Sequence, residues 1–398
     1  MRKSTVVSIV LGFVVVISMV FGFGMWNSTV AQSKQPIYFG QVMPFSGFFQ
    51  PIDVDRYNGV ELGIIDVNQK GGLLGRQVEL LRYDMKSDPP LGANGAVELI
   101  AKGAVALQVP SDYDIGGPAA LIAQSKKVLA FAGAADIKFG PAGIGEYAFS
   151  IACSTAGQSA QLAEWGYKTK RWRKAYILLD NTLEFTKSIA RFFKIRWIEL
   201  AGKEGLVGED QFLNSDTSIA SQITRFKALP KQPDVIYLVS YPPGGASAIR
   251  QIRAAGINTP ILSCEGMDGE YWLGAVPDLS NFYVATYGSI YGDDSDPKVN
   301  EYFKKHAAKY GKPATSWGTE GYSIVEAWSR AVQRAGTTDG EAIRKQLEKF
   351  KDEPLTAGPT TYSEKYHISL NRPMSLLELQ KGKYRFIAKM KADKFPEP

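Results

Sequence analysis

The chain has 398 residues, 45% of them hydrophobic and 22% charged, and a net charge of +6 to which Arg2 and Lys3 contribute two. That length allows two or three domains, and the composition excludes disordered, collagen-like and disulfide-rich classes. The basic excess is small and spread out. Its densest run, Lys168-Thr-Lys-Arg-Trp-Arg-Lys174, reads as a solvated helix end or loop, so no nucleic-acid partner is expected.

The N-terminus reads as an export signal. Arg2 and Lys3 precede an uncharged stretch from Val6 to Trp26, and Thr29-Val30-Ala31 offers small residues before a cleavage point at Gln32. Residues 1–31 are therefore expected to be removed. An uncleaved anchor is the other reading, because the apolar run is long enough to span a bilayer. The cleavage region holds no Cys, which argues against a lipid anchor and for the periplasm.

From residue 36 onward strand and helix patterns alternate. Strands are predicted at 37–43, 77–83, 104–109 and 128–132, with helices at 57–69, 92–102 and 119–126 between them. The rhythm restarts with strands at 175–180, about 205–207, 235–240 and 260–263, and helices at 186–200, 218–229 and 246–255. An aromatic strand at 282–291 follows, then helices at 296–310, 318–335 and 339–350 and a terminal hairpin over 376–391 turning at Lys381-Gly382. Repeated βα units imply parallel sheets covered by helices on both faces, and two runs of them imply two doubly wound α/β lobes.

The stretch Ile65-Asp-Val-Asn-Gln-Lys-Gly-Gly-Leu-Leu-Gly-Arg-Gln-Val-Glu-Leu80, followed by Asp84 and Ser87-Asp88-Pro89, reads as a helix end, a glycine turn and a buried strand. It resembles the first βαβ unit of the type I periplasmic binding proteins, in the Leu/Ile/Val-binding branch. Pro44-Phe-Ser-Gly47, Pro233-Asp-Val-Ile-Tyr237 and the segment from Ile249-Arg-Gln251 to Ala254-Ala-Gly-Ile257 resemble further motifs of that family, in the right order. The resemblance implies two lobes joined by three hinge crossings near 149–152, 287–291 and 366–372. Residues 32–150 and 288–368 would form the N-terminal lobe, and 151–287 and 369–398 the C-terminal lobe. It also implies a monomeric receptor that closes on a small-molecule solute, uses no cofactor, and delivers its cargo to the membrane permease of an ABC importer.

A free amino acid in a closed cleft needs hydroxyls and N–H groups for its carboxylate and a buried acid for its ammonium. By resemblance, Glu265 in Ile261-Leu-Ser-Cys-Glu-Gly266 is that acid. The carboxylate loops depart from the family pattern. Val109-Pro-Ser-Asp-Tyr113-Asp114 replaces a Gly/Ser-rich loop, and in Ala132-Gly-Ala134-Ala-Asp136 the last residue stands where Thr or Ser is usual. A carboxylate beside a ligand carboxylate is repulsive, so Asp136 faces an Arg, takes a cation or hydroxyl, or turns away as a cap. Phe185 replaces a tyrosine and keeps its aromatic face. Tyr113, Asp114, Ala134, Asp136, Phe185, Tyr241 and Glu265 are the expected ligand-binding residues. Phe48, Phe49 and Tyr291 are further aromatics in expected cleft loops. The aromatics favour an apolar wall, and the altered loops leave open an aromatic acid, an amide or another non-α-amino solute.

Cys153 and Cys264 are either bridged or two separate buried thiols. With two histidines far apart, His306 and His367, no metal site is expected. The chain lacks Gly-x-Ser-x-Gly and Walker motifs, and its Gly71–Gly75 cluster precedes a strand rather than a helix. An enzyme is therefore not expected.

Overall fold

The computed structural model describes residues 35–398; the expected leader and its cleavage point lie outside them. In the first half the elements are β1 (Ile37–Met43), α1 (Gln50–Gln69), β2 (Val78–Asp84), α2 (Pro89–Ala101), β3 (Ala104–Gln108), α3 (Tyr113–Ser125), β4 (Leu129–Ala132), β5 (Ala148–Ser150) and α4 (Thr155–Lys168). Then come β6 (Ala175–Asp180), α5 (Glu184–Ala201), β7 (Leu206–Phe212), α6 (Ala220–Lys227), β8 (Val235–Val239), α7 (Gly244–Ala254), β9 (Ile261–Ser263) and β10 (Phe282–Thr286). The chain ends with α8 (Pro297–Tyr310), α9 (Gly318–Ala335), α10 (Gly340–Leu347), the short strands β11 (Glu353–Leu355) and β12 (Gly358–Thr360), and the hairpin β13 (Met374–Gln380) and β14 (Lys383–Met390). Among the described residues no helix is long and apolar enough to cross a membrane.

One sheet has the order β2-β1-β3-β4-β5 and is parallel throughout. In the second sheet β7-β6-β8-β9-β10 repeats that order in parallel, and β13 and β14 extend it antiparallel. Both have the doubly wound order whose switch point opens a crevice at the carboxyl ends of the strands. The first sheet is built from residues 37–150, and the second from 175–286 and 374–390. Between them two backbone segments run side by side. Ser150 N donates to His367 O at 2.8 Å, and Ser154 N donates to Ser369 O at 2.9 Å. The Tyr287 hydroxyl accepts the Cys153 N–H at 3.1 Å.

Three departures from the predicted elements have two causes. Helix α1 begins at Gln50, a full turn and more before Tyr57, because its first turns bury Asp53, Asp55 and Arg56 alongside Ile52. Inward-facing charge hides the apolar stripe that periodicity needs. Helix α4 has no predicted counterpart for the same reason: Gln158, Ser159, Gln161 and Glu164 are buried with its alanines. Helix α3 starts at Tyr113 rather than at 119, because the Asp112 carboxylate caps it by accepting the N–H groups of Asp114 and Ile115. Strand β2 is an edge strand, partly exposed along most of its length rather than buried, and β10 stops at Thr286. The glycine turn is as expected: Gly72 has φ +79°, and a Cβ there would strike the Arg76 carbonyl.

The cover of the first sheet is not local. Trp328 of α9 packs edge-on to Phe39 of β1, ring centroids 5.0 Å apart, in a core with Val60, Phe149 and Leu347. Helices α1 and α9 touch backbone to backbone. A Cβ on Gly59 would collide with the Gly318 carbonyl, and one on Gly321 with the Arg56 carbonyl. Gly321→Ala must push the helices apart and is expected to destabilise the protein by about 1–3 kcal/mol, read from the midpoint of urea unfolding.

Candidate functional site

The crevice between the two sheets narrows to a cavity of about 40 Å³, room for about three waters. The first lobe contributes Phe49, Ile52 and Arg56 from the loop after β1 and α1, Ser111 and Asp112 after β3, and Gly133 and Ala135 after β4. Trp317, the residue before α9, completes that side. Facing them are Leu183 and Phe185 after β6, Tyr241 after β8, and Glu265 and Gly266 after β9. All but Trp317 sit at carboxyl ends of parallel strands, where the topology opens the sheet.

Arg56 organises this site. Its guanidinium is 3% exposed. Nε donates to Glu320 at 2.8 Å, and Nη1 donates to Asp53 at 3.2 Å, to Ser111 Oγ at 3.1 Å and to the Ile52 carbonyl at 3.2 Å. The Trp317 ring lies 4.4 Å from the guanidinium carbon, a cation–π contact. Nη2 is 3.9 Å from Glu265 Oε2, which also accepts the Trp317 Nε1–H at 2.7 Å. Glu265 is thus held by groups from the opposite side of the crevice. Asp53, fully buried, accepts the Ser111 N–H at 3.3 Å with its second oxygen. A further guanidinium, Arg372, is buried over the Tyr287 ring, and its field favours the ionised form of Glu320.

Of the residues expected at the site, Phe185, Tyr241 and Glu265 line the cavity. Tyr113, Asp114, Ala134 and Asp136 do not. Tyr113 opens α3, its ring 6.0 Å from Lys138 Nζ. Asp114 Oδ2 accepts the Glu184 N–H at 2.9 Å, tying α3 to α5 outside the cavity. Lys138 Nζ donates to Glu184 Oε1 at 2.8 Å beside it. Ala134 is packed in the core and its carbonyl accepts the Ser150 hydroxyl. Asp136 caps its own turn by accepting the Lys138 N–H at 2.9 Å. Among the other aromatics, Phe49 lines the cavity, Phe48 lies outside it, and Tyr291 stacks on Tyr384, centroids 5.7 Å apart. Sequence reasoning missed Arg56, Ser111, Asp112 and Trp317. The signal available was a run of three charges, Asp53, Asp55 and Arg56, inside a helical span, which is costly to bury unless paired.

Cys153 and Cys264 are separate buried thiols, each pushed up to about 12 chiefly by desolvation. His306 approaches Asp55 at 3.3 Å and His367 approaches Glu348 at 3.1 Å. Among the described residues no cluster of ligating side chains could hold a metal.

A two-lobed α/β protein with a charged cleft at paired switch points is a solute receptor in its architecture. The model of the periplasmic binding protein family matches residues 36–383, and the chain belongs to that family, whose members bind solutes and are not enzymes. It is 24% identical over 355 residues to a Leu/Ile/Val-binding protein of Rhizobium johnstonii, covering 87% of this chain and 92% of that one. A leucine-binding protein of Thermotoga maritima superposes with a TM-score of 0.79 at 21% identity, over 90% of this chain and 99% of the other. A branched-chain amino acid transporter substrate-binding protein of Streptococcus pneumoniae, in complex with isoleucine, gives 0.78 at 21%, over 91% and 100%. A solute-binding protein of R. palustris in complex with benzoate gives 0.74 at 19%, over 90% and 98%. These structural likenesses show the shared fold.

Desolvation raises Glu265, Glu320 and Asp112 to about 7 and Asp268 to about 6, with Arg56 opposing it at the first two. These folded-state values lie above the unfolded ones, so the folded protein holds more protons between about pH 4 and 7. Stability therefore falls as pH rises through that window. His367, lowered to about 4 by burial, acts in the opposite sense. The unliganded protein is expected to melt at a higher temperature at pH 5 than at pH 7.5, and Glu320→Gln to flatten that slope in a thermal scan. Arg56→Ala leaves Asp53, Glu265 and Glu320 uncompensated and is expected to cost about 3–5 kcal/mol in denaturant titration.

Proposed function

We propose that this protein captures an amino acid of the branched-chain or hydrophobic type and delivers it to the permease of an ABC importer. The carrying observation is that Arg56 Nη2 and Glu265 Oε2 face one cavity 3.9 Å apart. A zwitterion presents its two charges at that scale. Its carboxylate engages Arg56 and its ammonium engages Glu265, while Phe49, Ile52, Phe185 and Tyr241 surround the apolar part. The relatives named for leucine, isoleucine and valine support this reading. Residues 32–150 with 288–368 act as one moving lobe, and 151–287 with 369–398 as the other. Binding favours closure by its differential affinity for the closed form. The receptor works as a monomer in the periplasm, after export through its leader.

One observation favours a second reading, an aromatic acid, amide or other non-α-amino solute. Glu265 already accepts Trp317 Nε1–H, so the cavity does not require an ammonium.

Calorimetric titration of residues 32–398 separates the two. Leucine, isoleucine or valine is expected to bind, and Glu265→Gln to weaken that binding by about a hundredfold, the scale of breaking a buried charge pair. Binding of benzoate but of no amino acid would replace the first reading with the second.

A further inference from the structure

Outside the cavity, at its mouth, lies a groove of about 500 Å³ that no step of capture described above uses. Its walls come from both lobes. Phe48, 67% exposed, and Ile52 stand on one side; Tyr271, 39% exposed, Pro243 and Ala275 stand on the other, with Arg250 also on its wall. Among the described residues, Phe48 and Tyr271 are two of the few large apolar side chains left in water. Ile52 lines the groove and the cavity alike, so the two spaces share a wall. The inner space of about 40 Å³, walled on its apolar side by Phe49, Ile52, Phe185 and Tyr241, is small beside the groove. Apolar volume beyond that space is found by parting the lobes or by passing Ile52 into the groove.

We propose that the groove is a second subsite of the receptor, which takes the distal part of an apolar side chain longer than that of leucine. The inference rests on the reading that Arg56 and Glu265 hold an α-amino acid head. The chemical class it assigns is an α-amino acid with an extended apolar side chain. Burying each added methylene between Phe48 and Tyr271 strengthens binding about fourfold. Shape at the mouth, rather than charge in the cavity, then grades the solutes.

The test is a calorimetric series on residues 32–398 with leucine, 2-aminohexanoate and 2-aminooctanoate, repeated on Ala275→Trp. Ala275 is exposed on the groove wall, so an indole there fills the groove without disturbing the core. The expected result is 2-aminooctanoate binding about sixteenfold tighter than 2-aminohexanoate, two methylenes at about 0.8 kcal/mol each, and Ala275→Trp cancelling that ratio. Equal or weaker binding of the longer homologue, with leucine still bound, overturns the second subsite and leaves the amino-acid reading standing. So does a ratio that survives Ala275→Trp. Failure of all three amino acids to bind overturns the head-group reading, and the subsite with it.

Discussion

A guanidinium removed from water is tolerated only where several acceptors converge on it, and that requirement at Arg56 couples most of this molecule. Its acceptors come from its own helix (Asp53), from the loop after β3 (Ser111) and from α9, 264 residues away in sequence (Glu320). A third carboxylate, Glu265, approaches from the other sheet. Without the glycine contact between α1 and α9, Glu320 could not reach Nε. Without the two sheets facing each other, Glu265 would have no cation. Helix packing, loop placement and lobe approach are one problem with one solution.

That solution leaves the site closer to acid than to base. Asp53, Glu320 and Glu265 surround one cation, and burial raises all three carboxyls. An incoming ammonium would relieve that excess, which is why the cluster suits a zwitterion better than an anion alone. The benzoate-bound structural neighbour shares the fold, so the fold by itself does not choose between them.

The βα rhythm, the two α/β sheets and the place of Glu265 on the cavity wall were legible because each leaves a local mark: apolar runs of strand length, glycine turns, and an acid directly after a short strand. The pairing of distant segments into lobes was expected from the resemblance to a known family, not from any local mark. Arg56 was not legible, because burying charge in the first turns of α1 erases the stripe by which a helix is recognised. Asp136 and Asp114 were placed in the site because they sit in the right loops. Yet Asp136 satisfies its own turn and Asp114 reaches across to α5. Position in a loop does not decide which way a short side chain points; the nearest unsatisfied N–H does. Phe185 and Tyr241 line the cavity, because a large ring at the mouth of a crevice has few other places to go.

The cover of the first sheet carries a consequence for how the chain assembles. Strands β1 to β5 are complete by Ser150, but Trp328 and Leu347, which close the face bearing Phe39 and Phe149, come nearly two hundred residues later. The five parallel strands of the second sheet are contiguous, from Ala175 to Thr286. A chain synthesised from its N-terminus therefore makes the first sheet early and finishes its core late. In the interval an apolar face stands uncovered, and contacts of such long range are slow to close. The lobe that is written first is the one that must wait, and a binding partner that shields it during synthesis would act on that face.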